Sequence, residues 1–182
     1  QCIAKKVCSI HFFTAGFSET GDEEMAAVEA QMMEKLANAG IRAIGPNCMG
    51  LYVPSSRLAF MSGFPMEAGK VFLLSQSGAN AGEIVRGLTT RGVRFSKVVS
   101  YGNGADLRAH DFLDYAAQDE DTEVVTAYIE GVQDGRKFFA ALKRCASVKP
   151  VIVLKGGRTQ SGSQAAHSHT GSLAGSIEVF DA

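Results

Sequence analysis

The residues best suited to chemistry lie near the end of the chain, in Ser168-His169-Thr170-Gly171-Ser172 followed by Leu173-Ala174-Gly175. His169 stands among small residues, and the glycines let other groups approach closely. An imidazole held this way suits covalent or acid–base work, because its ring nitrogen is nucleophilic near neutral pH. In isolation the same pentapeptide also reads as a surface loop. His167 is two residues away and is the one competitor; His11 and His110 show no evident partners.

Two other groups extend this chemistry. Ser75-Gln76-Ser77-Gly78 joins an apolar run to a helical pattern. The free backbone N–H groups at such a helix start, with the helix dipole, attract an oxyanion. Ser75 and Ser77 add hydroxyls, and Gly78 adds room. A serine N-cap on a tight turn is the alternative. No G-K-[ST] follows, so this is not a Walker A loop. Glu130 ends a strongly apolar run, Val124 to Ile129. A carboxylate there is costly without a partner, and holding a histidine ring in one tautomer is one use for it. A solvated strand-end glutamate is the other reading.

The elements that must position these groups alternate. Val7 to Phe13 reads as a strand buried on both faces. A helix is expected over 22–38, with Asp22, Glu23 and Glu24 at its dipole end and Val28, Met32 and Leu36 on one face. A short strand from Ile41 to Ile44 leads into Gly45-Pro46-Asn47-Cys48. This β-α-β unit looks like the end of a domain, so the chain is expected to be a fragment or subunit. Residues 51–69 lack periodicity and read as a linker or irregular excursion. From Lys70 onward strands are expected at 71–74, 98–101, 124–129 and 150–154, with helices near 79–91, 106–117 and 134–146. That alternation argues for a parallel sheet with helices on both faces.

Polar or glycine residues follow every strand: Ser75 to Gly78, Gly102 to Gly104, Glu130-Gly131 and the loop to His169. In an open α/β sheet these positions share the carboxyl edge, where ligands bind. Ser77, Asn103, Glu130 and His169 can therefore converge. Ser77, Glu130 and His169 occur in the order of an α/β-hydrolase triad. However, Ser75 and Ala79 stand where the G-x-S-x-G elbow requires glycine. A phosphohistidine site fits better: serines and a helix start hold the phosphoryl group, His169 carries it, and Glu130 orients the ring.

The composition is that of an ordinary globular protein. Of 182 residues, 46% are apolar and 20% charged, with a net charge of −1, so nucleic acid and membrane surfaces are not expected partners. Cys2, Cys8, Cys48 and Cys145 show no metal spacing, and scattered cysteines suit a reducing cytoplasm. Asp119, Glu120, Asp121 and Asp134 read as solvated turn charges, not a metal site.

Six segments occur in one order: Thr14-Ala15-Gly16-Phe17-Ser18-Glu19, Gly45-Pro46-Asn47-Cys48, Ser75-Gln76-Ser77-Gly78, Tyr101-Gly102-Asn103, Tyr128-Ile129-Glu130-Gly131 and Ser168-His169-Thr170-Gly171-Ser172. Together they resemble the NDP-forming (ADP-forming) acyl-CoA synthetases of the succinyl-CoA synthetase superfamily. The resemblance covers essentially the whole chain.

It implies that residues 1–54 are the C-terminal half of a Rossmann-like CoA-binding domain and that 55–69 are a linker. Residues 70–182 would form a flavodoxin-like domain with the phosphohistidine loop. It further implies a coenzyme A or acyl-CoA site at Thr14, Ala15, Gly16, Pro46, Asn47 and Cys48. Phosphate would bind at Ser75, Ser77 and Gly78, and catalysis would rest on His169 and Glu130. Acyl contacts would fall at Gly82, Gly102 and Asn103. Gly82 replaces the larger acyl-contacting side chain of succinate-specific relatives. ATP or ADP with Mg²⁺ would bind an ATP-grasp domain or subunit, which nothing in this chain resembles. A carboxylic acid substrate and a homo- or hetero-oligomer are also implied. A non-catalytic sensor of CoA or another small ligand, as a module of a larger protein, is the competing expectation.

Overall fold

The computed structural model describes residues 1–157. Along the chain run β1 (Ser9–His11), α1 (Glu23–Asn38), β2 (Arg42–Ile44), β3 (Gly50–Val53), β4 (Leu58–Ala59), β5 (Val71–Ser75), α2 (Gly78–Thr89), β6 (Phe95–Ser100), α3 (Ala109–Gln118), β7 (Val124–Ile129), α4 (Gly135–Ala146) and β8 (Val151–Lys155). His169 and the rest of 158–182 lie outside the described residues.

An unbroken apolar strand belongs where both of its faces are covered. Val71-Phe72-Leu73-Leu74 obeys this and takes the middle of a six-stranded sheet of order β4-β3-β6-β5-β7-β8. β6, β5, β7 and β8 are parallel neighbours, whereas β3 runs antiparallel to both β6 and β4. Side chains alternate along β5. Phe72 and Leu74 join Val99, Phe112, Leu113, Ile129 and Phe138 in a core under α3 and α4. Leu73 turns the other way, toward Tyr52, Ala81, Val85 and Phe95 on the α2 side. Each such side chain contributes about 1.5–3 kcal/mol through its removal from water.

Helix starts follow their capping residues. Asp22 accepts from the N–H groups of Glu24 and Met25 at 2.8 and 3.3 Å. Asp134 accepts from Lys137 N–H at 3.0 Å. In α3 the Asp111 carboxylate takes the Arg108 N–H at 2.9 Å. These bonds satisfy donors that a helix start leaves open.

The structure departs from the sequence expectations in four places. Among the described residues the first strand is short and pairs with β2 alone, in a two-stranded parallel sheet, and Phe13 is 61% exposed. It is therefore not covered on both faces among the described residues. In α1 the inward stripe is Glu29, Met33 and Leu36, while Val28 is exposed. The apolar spacing fitted either stripe, and a buried carboxylate decided between them. Residues 51–69 are not a free excursion, because β3 and β4 extend the main sheet and the Tyr52 hydroxyl donates to Pro65 O. Their strands are too short for periodicity to show. Finally, Asp119 is not a solvated turn charge. It meets Lys97 at 2.8 Å, with side-chain exposures of 9% and 15%.

Candidate functional site

The order β6-β5-β7-β8 places the chain reversal between β5 and β7, where open α/β sheets form their ligand crevice. Ser75 ends one strand and Ile129-Glu130 the other. The two ends are stitched together by Gln76. Its side-chain Oε1 accepts from Glu130 N–H at 2.9 Å and from Gly131 N–H at 3.0 Å. Its own N–H donates to Tyr128 O at 3.0 Å. Gln76 is buried, so these bonds form away from competing water.

α2 starts against this seam. Ser77 caps it, with Oγ accepting from Asn80 N–H at 3.3 Å. The N–H groups of Gly78 and Ala79 have no acceptor among the described residues and form a ready oxyanion cradle. Gly78 is also required sterically: a Cβ there would stand 2.5 Å from Met49 Cγ. Ser75 plays a different part from Ser77. It is fully buried, and its hydroxyl donates to Ser77 O at 2.6 Å, which tightens the loop from behind.

Glu130 is 5% exposed. Its surroundings account for a carboxyl group in such a place. Tyr128 hydrogen-bonds it through its side chain. Lys155 Nζ donates to the Glu130 carbonyl at 2.7 Å, which ties the end of β8 to the end of β7. Gly156 makes the approach possible, since a Cβ would lie 2.6 Å from the Tyr128 hydroxyl and 3.3 Å from Glu130 Cγ. Burial first, and then the charge of Glu130, push the Tyr128 and Tyr101 phenols above their usual range. Among the described residues the buried Tyr101 hydroxyl has no hydrogen-bond partner.

The second half of the site comes from the first 48 residues. Asn47 N–H donates to Thr14 O at 2.9 Å, so the 14–19 loop and the 45–48 turn lie side by side. Gly102 lies tightly beneath the turn: its φ is +57°, and any Cβ would collide with the carbonyls of Pro46 and Asn47. Asn103 N–H donates to Pro46 O at 3.0 Å. Asn103 Nδ2 donates to Glu19 Oε2 at 2.6 Å and to Glu29 Oε2 at 3.0 Å. Its Oδ1 accepts from Asn47 Nδ2 at 3.3 Å, and its carbonyl from Gln133 Nε2 at 3.3 Å.

The predicted site residues thus fall into groups. Ser75, Ser77, Gly78 and Glu130 meet at one seam. Thr14, Ala15, Gly16, Pro46, Asn47, Gly102 and Asn103 meet at another, on the same sheet edge. Thr14 and Ala15 are exposed, whereas Pro46 and Cys48 are buried under the turn. Burial pushes the Cys48 thiol up to about 12, so it remains protonated and unreactive at neutral pH. Gly82 stands apart, within α2, where a Cβ would meet Met61 Sδ at 3.3 Å. Among the described residues no cluster of His, Cys, Asp or Glu could hold a metal ion, and no helix is long and apolar enough to cross a membrane.

Sequence reasoning missed Gln76, Tyr128, Lys155, Glu19 and Glu29. The first was visible inside Ser75-Gln76-Ser77-Gly78, where the serines drew attention. A buried glutamine in a strand-to-helix turn is itself a signal of loop stitching.

A mostly parallel sheet with polar loops gathered at its switch point defines a flavodoxin-like α/β domain. The chain belongs to the succinyl-CoA ligase-like flavodoxin domain family, whose model matches residues 68–182. Over its whole length it is 44% identical to acetate–CoA ligase (ADP-forming) I of Archaeoglobus fulgidus, covering 27% of that protein. It is 41% identical to the alpha subunit of acetate–CoA ligase (ADP-forming) II of Pyrococcus furiosus, again over its whole length and 40% of that subunit. A solved structure of dinucleotide-forming acetyl-coenzyme A synthetase 1 from Ca. Korarchaeum cryptofilum, in complex with phosphate and ADP, superposes with a TM-score of 0.87. The identity is 36% over 99% of this chain and 39% of that one. The chain therefore spans only about a quarter to two fifths of the relatives it matches.

Proposed function

We propose that this chain is part of an NDP-forming acyl-CoA synthetase, which interconverts acyl-CoA, phosphate and ADP with a carboxylic acid, CoA and ATP. The observation that carries this reading is the seam made by Gln76. It sets the open start of α2 beside buried Glu130, as a phosphoryl-carrying histidine would need. The relatives, ADP-forming ligases of acetate, support the reaction class.

Gly78 and Ala79 N–H groups and the Ser77 hydroxyl receive phosphate, with Ser75 bracing the loop from behind. Phosphate attacks the thioester carbonyl and expels CoA, leaving an acyl phosphate. His169 takes the phosphoryl group and the acid departs. Glu130, held by Tyr128, orients the imidazole and balances its positive charge. Exposed Thr14 and Ala15, with half-buried Gly16 and Asn47 and buried Pro46, line the CoA side, while Cys48 supports the turn from below. Gly102 and Asn103 border the acyl side, Asn103 through its backbone and neighbours, and Gly82, apart within α2, is a separate candidate for an acyl contact. ATP or ADP with Mg²⁺ belongs to an ATP-grasp domain or subunit outside this chain, and the assembly is an oligomer in the cytoplasm. We place the division between the CoA-binding part and the flavodoxin-like part near Met49, because β3 already pairs with β6.

The test is phosphoryl labelling of the full-length protein with ATP and Mg²⁺. An acid-labile, base-stable label lost in His169→Asn is expected, and Glu130→Gln should lower labelling about 10–100-fold. A label that survives His169→Asn would overturn the site. Absent labelling with intact acyl-CoA binding would instead identify a ligand sensor.

A further inference from the structure

We propose that Glu19 is a positioning residue for coenzyme A: held by Asn103, it fixes the 14–17 loop against the flavodoxin-like domain. The inference rests on the reading above and adds a residue that the reading does not need.

The 14–19 loop has little apolar burial to hold it. Thr14 and Ala15 are exposed, and Phe13 before them is 61% exposed. Its position depends on carboxyl groups instead. Glu19 Oε1 accepts from Gly16 N–H at 2.5 Å, and Oε2 from Phe17 N–H at 3.1 Å. The same Oε2 takes one amide hydrogen of Asn103 at 2.6 Å. Glu29, on α1, accepts from the same Nδ2 at 3.0 Å and from the Ser18 hydroxyl at 2.9 Å, and that hydroxyl oxygen also accepts from Nδ2 at 3.3 Å. Two carboxyl groups therefore converge on one neutral amide. Among the described residues neither pairs with a lysine or arginine.

This arrangement binds less tightly than an ion pair would, and it fixes direction. An arginine would bind two carboxylates more strongly than an amide does. An amide presents its two hydrogens in fixed directions, which restricts where the two carboxyls and the Ser18 hydroxyl can sit. Asn103 is in turn anchored to Pro46 O and Asn47 on the CoA turn, and to Gln133 on the α4 side. Tyr101, two residues earlier, donates its N–H to Ser75 O at 3.0 Å. Glu19 is thus connected through three short links to the loop that begins α2. Rotation of its carboxylate would shift Gly16 and Phe17 relative to Gly78, and displacements of about 1 Å matter greatly for a reacting pair.

The full-length enzyme carrying Glu19→Gln is the test. Its amide would place an N–H against the Asn103 or backbone donors and lose a charge-assisted bond. CoA affinity by calorimetry, and KM for CoA, should weaken about tenfold. ATP-driven labelling of the histidine should remain within about twofold, because that half-reaction uses no CoA, and the melting midpoint should hardly move. Asn103→Asp should weaken CoA more at neutral pH, by crowding a third carboxylate against two, and recover as pH falls. CoA affinity in Glu19→Gln within twofold of wild type, or equal loss of CoA affinity and labelling, would overturn the proposal. If Glu19→Gln does not fold, Glu19→Asp is decisive in the same assays. One methylene shorter, it reaches either the loop amides or Asn103, and unchanged CoA affinity there would equally sink the idea. Loss of labelling in the wild type would defeat the functional reading while leaving the calorimetric result to stand or fall alone.

Discussion

Phe72, Leu73 and Leu74 of β5 are essentially removed from water, whereas in β1 Ser9 is exposed and Ile10 and His11 are only half-buried. The six-stranded sheet is held at its central strands by apolar burial on both faces. The two-stranded sheet of β1 and β2 has a small core of Leu36, Ile41 and Ala43, and it meets the main sheet through Ile44, through His11 and Phe13 against Phe60, and through polar bonds. Asp106, after β6, takes Ala43 N–H at 2.6 Å and clamps Arg42 at 3.0–3.1 Å. Asn103 holds the neighbouring loop. Under the function proposed above, burial gives the phosphate end of the site its platform, and hydrogen bonds fix the CoA-side loop in direction.

The comparison is broken most severely at β5. Phe72→Ala should cost about 3–5 kcal/mol through lost burial and an unfilled cavity. Chemical denaturation of the full-length protein should show the midpoint of this domain falling by that amount. A loss below about 1 kcal/mol would mean that the sheet is not held by its core.

A smaller and more local effect is expected at the polar clamp. Asp106→Ala removes the acceptor for Ala43 N–H and Arg42, at a cost of about 1–3 kcal/mol. Amide exchange should speed up in residues 42–44 and stay unchanged in β5. Uniform acceleration in both sheets would show that they open as one unit.

The smallest effect is acid sensitivity, and it sharpens the contrast. Burial alone would raise Glu19, but bonds from Asn103, Gly16 and Phe17 outweigh it and hold its carboxyl below the usual range. Burial likewise opposes Asp119, and Lys97 and Thr122 overcome it, holding that carboxyl low as well. A carboxyl whose folded value is depressed stabilises the fold above its unfolded value, and that contribution fades as pH falls through the folded one. Both regions should therefore be insensitive to pH from 7 down to about 5 and weaken only below about 4. Glu19→Gln should remove the acid response of the first region, and Asp119→Asn that of the second, as followed by amide exchange against pH. Weakening of either region between pH 7 and 5 would contradict these assignments.

The elements of the main sheet were legible because each apolar run was bounded by glycine or polar residues and was long enough to identify. β3 and β4 were not, since two to four residues carry no period and their pairing is set by β6. Ser77 and Glu130 were legible as strand-end polar groups. Gln76 was not, because its value lies in two backbone donors brought to it from more than fifty residues away. Glu29 was hidden for a related reason. Nothing local marks a helix glutamate as buried until Ser18 and Asn103 converge on it.

The sequence by itself determined the alternation of strands and helices, the serine turn that starts α2, and the polar residues at each strand end. These follow from local conformational preference and from the periodicity of burial, which neighbours in the chain are enough to specify. The tertiary structure alone decided which strand ends meet, that Cys48 is buried, and that Asn103 ties Glu19 and Glu29 together. Those outcomes depend on hydrogen-bond directions and desolvation between segments far apart in sequence, which exist only once the sheet has assembled.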